Sequence, residues 1–186
     1  PLPKPSIDTG MGLERITAIV QGKQANYDID MFQPVFRRIE QLSGLKYEGN
    51  FASGDNLMDP AVENDVAFRV ISDHARATVF LMADGIYPEN EGRGYVLRRV
   101  MRRAIRFGRK LGLEGEFFST ICDEVVLEMG GTYTEVMEAR GVIKRVVTQE
   151  ELRFGRTLAD GLKLLEGEIV RLQAEGKDTV SGDTTF

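Results

Sequence analysis

The stretch RGYVLRRVMRRAIRFGRK, residues 93–110, carries the strongest structural signal in the chain. It contains seven arginines, one lysine and no acidic residue, whereas the whole chain has 24 basic and 29 acidic residues. On a helix of 3.6 residues per turn, its apolar and basic side chains separate onto two faces. The apolar face comprises Leu97, Val100, Met101, Ala104, Ile105 and Leu111, and the basic face comprises Arg98, Arg99, Arg102, Arg103, Arg106 and Arg109. The stretch therefore predicts a helix that buries one side and presents guanidinium groups on the other.

The basic face of this helix has three interpretations. Guanidinium is planar and permanently charged, so a row of arginines suits phosphate groups. Exposed helical faces usually alternate acids with bases, because like charges three or four residues apart repel one another. An anionic partner outside the chain is therefore favoured, while acidic residues of the same chain, such as a Glu-rich C-terminal helix, and simple solvation remain alternatives.

Composition limits the class of protein. A chain of 186 residues with 42% hydrophobic content can bury the core of one or two small domains. The single cysteine, Cys122, excludes an internal disulfide framework, and no apolar run approaches the roughly 18 residues of a membrane span. One histidine, His74, and one cysteine are too few for a typical zinc site. We expect a globular cytoplasmic chain with no metal site of its own, belonging to a longer protein.

Periodicity and turn signals predict a mainly α fold. The predicted helices span roughly residues 10–22, 27–43, 63–84, 93–110, 115–130 and 134–175, with a surface loop at 45–62. Asp28 or Asp30 is the predicted cap of the second helix, and Gly44 its stop. The last segment is one long helix or a helical hairpin that bends near Gly155 or Gly161, with Glu150 on its apolar side. Together these helices are expected to form an orthogonal cluster.

The segment SIDTGMGLER, residues 6–15, places an acid, two glycines and an arginine at a predicted strand-to-helix turn. Glycines allow a backbone to approach a ligand closely, and an arginine in the first helical turn can hold phosphate or stack on a base. A carboxylate can hold an ammonium group. On the pattern alone, a ligand site and an ordinary tight turn both remain open.

The longer phrase PLPKPSIDTGMGLERI resembles the third signature motif of class II aminoacyl-tRNA synthetases, in the form found in their alanine-specific branch. NYDIDMF, FRVISDHARATVFLMADGIYPENEGRGYVLRRVMRRAIRFG and SGDTTF are similar to the same branch in the same order. The resemblance implies that residues 1–22 end an aminoacylation domain, with a short extended segment left from its antiparallel sheet. It also implies that residues 23–186 form a helical tRNA-recognition domain that is incomplete at its C-terminal end.

The resemblance also implies site residues. Asp8 and Gly10 match residues that bind alanine, and Gly12 and Arg15 match residues that bind ATP. Asn90 matches the asparagine that reads the G·U wobble pair in the acceptor stem of tRNA(Ala), where an amide offers both a donor and acceptors. The tRNA phosphates are assigned to Arg93, Arg98, Arg99, Arg102, Arg103 and Arg106. A turn or cap for Asn90, and pairing with acidic neighbours for any single arginine, remain alternatives.

The implied activity is ATP-dependent attachment of alanine to its tRNA by the parent enzyme. ATP and Mg²⁺ would serve the parent, zinc would occur only in its editing domain outside this chain, and neither a membrane nor DNA is an expected partner. Because the first two class II motifs are absent, we expect this chain alone not to activate alanine. A strand without its sheet leaves its backbone groups unpaired, so we expect residues 1–9 to be poorly ordered or to pair with a neighbouring molecule. Two rival hypotheses are a non-enzymatic helical module that reads only the nucleic-acid backbone and a scaffold whose basic helix docks on a protein.

Overall fold

The computed structural model describes residues 3–4, 10–54 and 59–182. Within these residues there are seven α-helices and no β-strand, which confirms the mainly α prediction. The helices are α1 (Leu13–Val20), α2 (Gln33–Ser43), α3 (Pro60–Ala83), α4 (Gly92–Lys110), α5 (Phe118–Met129), α6 (Thr134–Glu138) and α7 (Arg140–Ala174). The orthogonal arrangement stays a prediction. The predicted extended segment and the expected poor order at residues 1–9 fall mainly outside the described residues.

Helix α2 begins later than the periodicity predicts. Residues 26–28 and 30–32 form two 3₁₀ turns, and Pro34 then occupies the first turn of the α-helix, where it displaces no hydrogen bond. Neither Asp28 nor Asp30 caps α2, because Asp28 accepts from the Tyr47 hydroxyl at 2.9 Å and Asp30 accepts from the next backbone N–H. Gly44 ends the helix as predicted, at a φ of 73° that favours glycine.

Helix α3 begins at Pro60, ahead of the predicted start at Glu63. The Asp59 side chain caps it by accepting from the Ala61 N–H at 2.9 Å. The preceding loop is fastened to the helix by Asp65, which is 1% exposed and accepts from the backbone N–H groups of Glu48 and Asn50. The loop at residues 45–54 contains no α-helix or strand that would pack it against the core, and the buried Asp65 carboxylate of α3 holds it in place by hydrogen bonds.

The core forms around α3, which packs against α2, α4 and α5, while α7 packs on α4 and α5. The predicted apolar face of α4 is buried except at Val100, which is half-buried. The sequence predicted that either Leu127 or Met129 of α5 points inward. The residue that does so is Met129, which is partly buried, whereas Leu127 is 50% exposed. The largest fully buried side chains include Phe36, Phe68, Phe117, Phe118, Ile71, Leu97, Met101, Ile105 and Ile121.

Helix α7 runs without a break through Gly155 and Gly161, so the single-helix alternative is confirmed. Its first half is buried at Ile143 and Val147, but farther along Leu162 is 49% exposed. The expectation that the whole helix packs against the rest is wrong within the described residues, because 35 residues extend about 50 Å, well beyond the much shorter α5. None of the described helices, α7 included, is both long and apolar enough to cross a membrane.

A bidentate ion pair joins the first residue of α7 to α5. Arg140 donates from Nε to Asp123 Oδ1 at 2.7 Å and from Nη2 to Oδ2 at 2.8 Å. These hydrogen bonds hold the pKa of Asp123 below its ordinary value of 3.8. A lowered folded-state pKa stabilises the fold above the ordinary value, and that stabilisation is lost as the pH falls through the folded value.

We expect Asp123→Asn to lower the free energy of unfolding by about 1 kcal/mol at neutral pH. The difference from wild type should shrink as the pH falls through the lowered pKa of folded Asp123, because the wild-type side chain then becomes protonated too. Urea denaturation at several pH values measures both quantities. Glu124→Gln, at a carboxylate with no ion pair among the described residues, is the matched control. A difference for Asp123→Asn that persists undiminished in acid would contradict the assignment.

Candidate nucleic-acid interface

The turn that carries Asn90 packs closely against the first turn of α4, and this contact fixes its position. Residues 84–91 connect α3 to α4, and the turn crosses the first helical turn directly over Gly94. A Cβ on Gly94 would lie 2.3 Å from the carbonyl oxygen of Tyr87 and 2.7 Å from Cβ of Glu89. Only glycine therefore allows the turn to occupy this place, a role that the sequence alone did not indicate.

Gly94→Ala should displace this turn and lower the free energy of unfolding by about 1–3 kcal/mol, since a backbone carbonyl has to move. Chemical denaturation measures the loss. Gly141→Ala is the control, because no atom lies within 4 Å of a Cβ there and alanine favours a helix. Equal behaviour of the two variants would show that the turn tolerates a side chain at position 94.

The basic face of α4 is divided into two rows. The inner row, Arg98 and Arg102, is partly buried and faces α7. The outer row, Arg99, Arg103 and Arg106, is exposed. Arg93 is likewise exposed on the first turn. Among the described residues, carboxylates form ion pairs with the inner row but with none of these four exposed arginines.

A single carboxylate of α7 forms ion pairs with both arginines of the inner row. Glu150 is 3% exposed, and its Oε1 accepts from Nε of Arg102 at 2.8 Å and lies 3.4 Å from Nε of Arg98. Arg153 places Nη1 3.7 Å from the other oxygen. The sequence interpretation in which the C-terminal helix supplies an acidic partner therefore describes the inner row only.

Asn90 is exposed at the end of the turn and is tied to the inner row. Its Oδ1 accepts a hydrogen bond from Nη1 of Arg98, which also donates from Nη2 to the carbonyl oxygen of Pro88 at 3.2 Å. A guanidinium group only donates, so this contact turns the amide oxygen toward Arg98. No partner of the Asn90 amino group is present among the described residues, which leaves a donor available to a ligand.

Two arginines of the outer row make cation–π contacts with aromatic rings of the same helix. The Arg99 guanidinium lies 5.8 Å from the Tyr95 ring centroid, and the Arg103 guanidinium lies 5.8 Å from that of Phe107. Such cation–π contacts hold a cation over an apolar surface while its other side stays hydrated. Arg99, Arg103 and Arg106 follow each other at spacings of four and three residues, so they form one stripe with Cβ atoms about 5–6 Å apart. A stripe of this kind suits a polyanionic backbone.

The residues implied for alanine and ATP lie at the other end of the chain. Gly12 precedes α1, Arg15 is exposed in its first turn, and Gly10 has open space around it. Free N–H groups at a helix N-terminus together with an arginine fit a phosphate-bearing group. Asp8 lies outside the described residues. Neighbouring Glu14 is occupied by Arg76, at 2.7 Å.

The described residues hold no cluster of metal-binding side chains. Within residues 3–4, 10–54 and 59–182, no group of three or more His, Cys, Asp or Glu side chains is close enough to hold a metal ion. His74 is paired with Asp73 through Nδ1 at 2.9 Å. Cys122 is fully buried, which raises the pKa of its thiol well above the usual value. Neither side chain contributes to the surface around α4.

A second buried acid, Glu151, joins α7 to the start of α5. It is 1% exposed and accepts from the backbone N–H groups of Phe117 at 3.0 Å and Phe118 at 2.9 Å. Burial raises the pKa of Glu151, while the helix N–H groups and Arg109 act in the opposite direction. The consecutive acids Glu150 and Glu151 therefore serve different helices. Both are buried because α7 packs on α4 and α5 together.

Comparison with known proteins adds to this geometry. The family described as tRNA synthetases class II (A) matches residues 1–186. An alanine–tRNA ligase of Anaeromyxobacter sp. strain Fw109-5 is 56% identical over 169 residues, which cover 91% of this chain and 18% of the relative. Those of Oleidesulfovibrio alaskensis and Myxococcus xanthus are each 48% identical over all of this chain and over 20% and 19% of their own lengths. The chain thus spans about a fifth of the curated relatives it matches.

Proposed function

The chain belongs to the class II tRNA synthetase (A) family, and from this premise we propose that it forms part of an alanine–tRNA ligase. Residues 1–22 then end the aminoacylation domain, and residues 23–186 belong to the tRNA-recognition domain. The match over residues 1–186 and the 48–56% identity to named alanine–tRNA ligases support the proposal that the chain is part of such a ligase. The whole enzyme would use ATP to activate alanine and transfer it to tRNA(Ala).

The observation that carries the tRNA-binding role is the exposed outer row beside Asn90. These arginines lack acidic partners among the described residues, in a chain whose formal net charge is −5. We assign Arg93 and the outer row to phosphates of the acceptor stem, where such contacts position the RNA without reading its sequence. Arg98 and Arg102 share their charge with Glu150, so their contribution to phosphate binding is smaller.

Asn90 is the residue proposed to read the G·U wobble pair. Its oxygen is engaged by Arg98, and its amino group is the part that remains for a base edge. An amide discriminates between base edges by hydrogen bonding, whereas the surrounding guanidinium groups bind any phosphate. Selectivity and affinity are therefore assigned to different side chains of one surface.

The remaining assignments concern the aminoacylation domain. Asp8 and Gly10 are proposed to bind alanine, and Gly12 and Arg15 to bind ATP, for which the exposed N-terminus of α1 offers a phosphate-binding end. ATP and Mg²⁺ belong to the reaction of the whole enzyme, and zinc to its editing domain. The proposal includes a cytoplasmic location, with neither membrane nor DNA as a partner.

The test is binding of an acceptor-stem minihelix that carries either the G·U pair or a G·C pair. We expect wild type to prefer the G·U duplex by about tenfold, and Asn90→Ala to reduce that preference to near one, since one lost base contact costs about 1–3 kcal/mol. Gln149→Ala, at an exposed amide on α7, should leave the preference unchanged. Equal affinity for both duplexes would favour a module that reads only the backbone, and no affinity at low salt would favour a protein scaffold.

A further inference from the structure

The buried carboxylate of α7 links the long helix to the turn that carries Asn90. We propose, on the premise of the function proposed above, that Glu150 is a positioning residue: it holds Arg98, and Arg98 holds the Asn90 amide in the orientation that reads the wobble pair. Glu150 itself is 3% exposed and so has no direct access to RNA. Its effect on recognition is transmitted through one side chain.

The contacts form a continuous chain from α7 to the turn. Glu150 Oε1 lies 3.4 Å from Nε of Arg98, and the two terminal nitrogens of the same guanidinium donate to Asn90 Oδ1 and to the Pro88 carbonyl oxygen. A rigid planar fork engaged at three points has little freedom to rotate. The oxygen of the Asn90 amide is thus held by a mostly buried guanidinium group.

Arg98 depends on Glu150 more than the other two arginines do. Its side chain is 12% exposed, compared with 31% for Arg102 and 65% for Arg153. Its Nε is buried and has no aligned hydrogen-bond partner, so the nearby carboxylate charge is what compensates it. Without that charge, Arg102 and Arg153 can turn toward water, whereas Arg98 can do so only by releasing Pro88 and Asn90.

A purely structural role for Glu150 predicts a different result from a positioning role. If Glu150 only fastened α4 to α7, its loss would lower the folded fraction and weaken binding to all duplexes equally. If it positions Asn90, its loss changes the environment of that amide and the ratio of affinities for the G·U and G·C duplexes. Both the amide signal and the ratio can be measured on protein that remains folded.

The first experiment needs no RNA. Side-chain amide resonances of ¹⁵N-labelled chain are compared between wild type and Glu150→Gln, with the Asn90 pair assigned by its loss in Asn90→Ala. We expect the Asn90 signals to move toward those of a free asparagine and hydrogen exchange at Arg98 Nε to accelerate at least tenfold. Glu166→Gln, at an exposed acid with no ion pair among the described residues, is the control. Unchanged Asn90 signals in Glu150→Gln overturn the inference.

A second variant guards against unfolding of Glu150→Gln. Glu150→Gln combined with Arg102→Gln removes one negative and one positive charge, so the net charge around Arg98 is the same as in wild type. The carboxylate that holds Arg98 is nevertheless absent. The same change in the Asn90 and Arg98 signals is expected, and its absence in the folded double variant overturns the inference.

The second experiment uses the two minihelix duplexes. In Glu150→Gln we expect the preference for the G·U duplex to fall about tenfold, to the level of Asn90→Ala, while affinity for the G·C duplex changes less than about threefold, since the outer row is intact. A preserved preference overturns the positioning role. Wild type that binds both duplexes equally instead contradicts the proposed function, whatever the resonances of Asn90 show.

Discussion

Reversing the outer row with Arg99→Glu, Arg103→Glu and Arg106→Glu together is expected to weaken binding of an acceptor-stem RNA about a thousandfold at about 50 mM salt. Each arginine that meets a phosphate releases a counterion, and each glutamate in its place repels the backbone. The three side chains are exposed and are unpaired among the described residues, so their reversal breaks no ion pair of the described fold. Fluorescence anisotropy with a labelled minihelix measures the loss.

The matched control is a second triple reversal elsewhere on the surface. Arg37, Arg145 and Lys163 are exposed cations on α2 and α7, and changing them to glutamate alters the net charge equally. Its effect should stay below about tenfold, because distant charges are screened by salt. Circular dichroism is used to check that both variants keep their helices. Equal losses in the two variants would mean that the RNA responds to net charge alone.

Glu151→Ala is expected to lower the free energy of unfolding by about 3–5 kcal/mol. The side chain is 1% exposed, and its removal leaves the buried N–H groups of Phe117 and Phe118 without acceptors. It also opens a cavity between α5 and α7. Glu151→Gln keeps one acceptor and removes the buried charge whose desolvation raises the pKa of Glu151, so a smaller loss is expected. Urea denaturation gives both values.

Glu166→Ala is the control for this change, because Glu166 is exposed on the same helix. Its effect should stay within about 0.5 kcal/mol, as is usual for surface substitutions. A loss below about 1 kcal/mol for Glu151→Ala would show that water replaces the carboxylate at the start of α5. The link between α7 and α5 would then be weaker than the contacts indicate.

The helical periodicity of apolar and polar residues predicted much of the fold. On α4, apolar and basic residues alternate with helical spacing, and that spacing correctly separated the buried Leu97, Met101 and Ile105 from the exposed Arg99. The interval between Val147 and Phe154 likewise placed Glu150 on the buried side of α7. Periodicity states which way a side chain points along its own helix.

Periodicity does not predict which residues of other helices a side chain will contact. Arg98 and Arg102, which pair with Glu150, lie about fifty residues away on another helix, and only the packing of α7 on α4 brings them to it. The same limit explains the distal half of α7, where an apolar spacing predicted burial but Leu162 is 49% exposed. An apolar stripe is buried only where it meets a surface to pack on: Leu172 near the end of the helix is buried, whereas Leu165 and Ile169 are 40% and 39% exposed.

Two further features depend on tertiary contacts of the backbone. Gly94 is required by the carbonyl oxygen of Tyr87, a contact created only when the turn folds over α4. The start of α2 shifted because residues 26–32 form 3₁₀ turns, which share composition with a helix start. Asp8, Gly10, Gly12 and Arg15 were identified by resemblance, and their roles stay proposals.

The salt dependence of RNA binding tests most directly whether phosphates meet the outer row. The slope of log affinity against log salt is measured for wild type and for Arg99→Gln, Arg103→Gln and Arg106→Gln combined, with the corresponding glutamine triple at Arg37, Arg145 and Lys163 as the control. Removing three phosphate contacts should make the slope shallower by about two to three units, and the control should match wild type. A wild-type slope that survives neutralisation of the outer row would contradict the assignment of this surface to RNA.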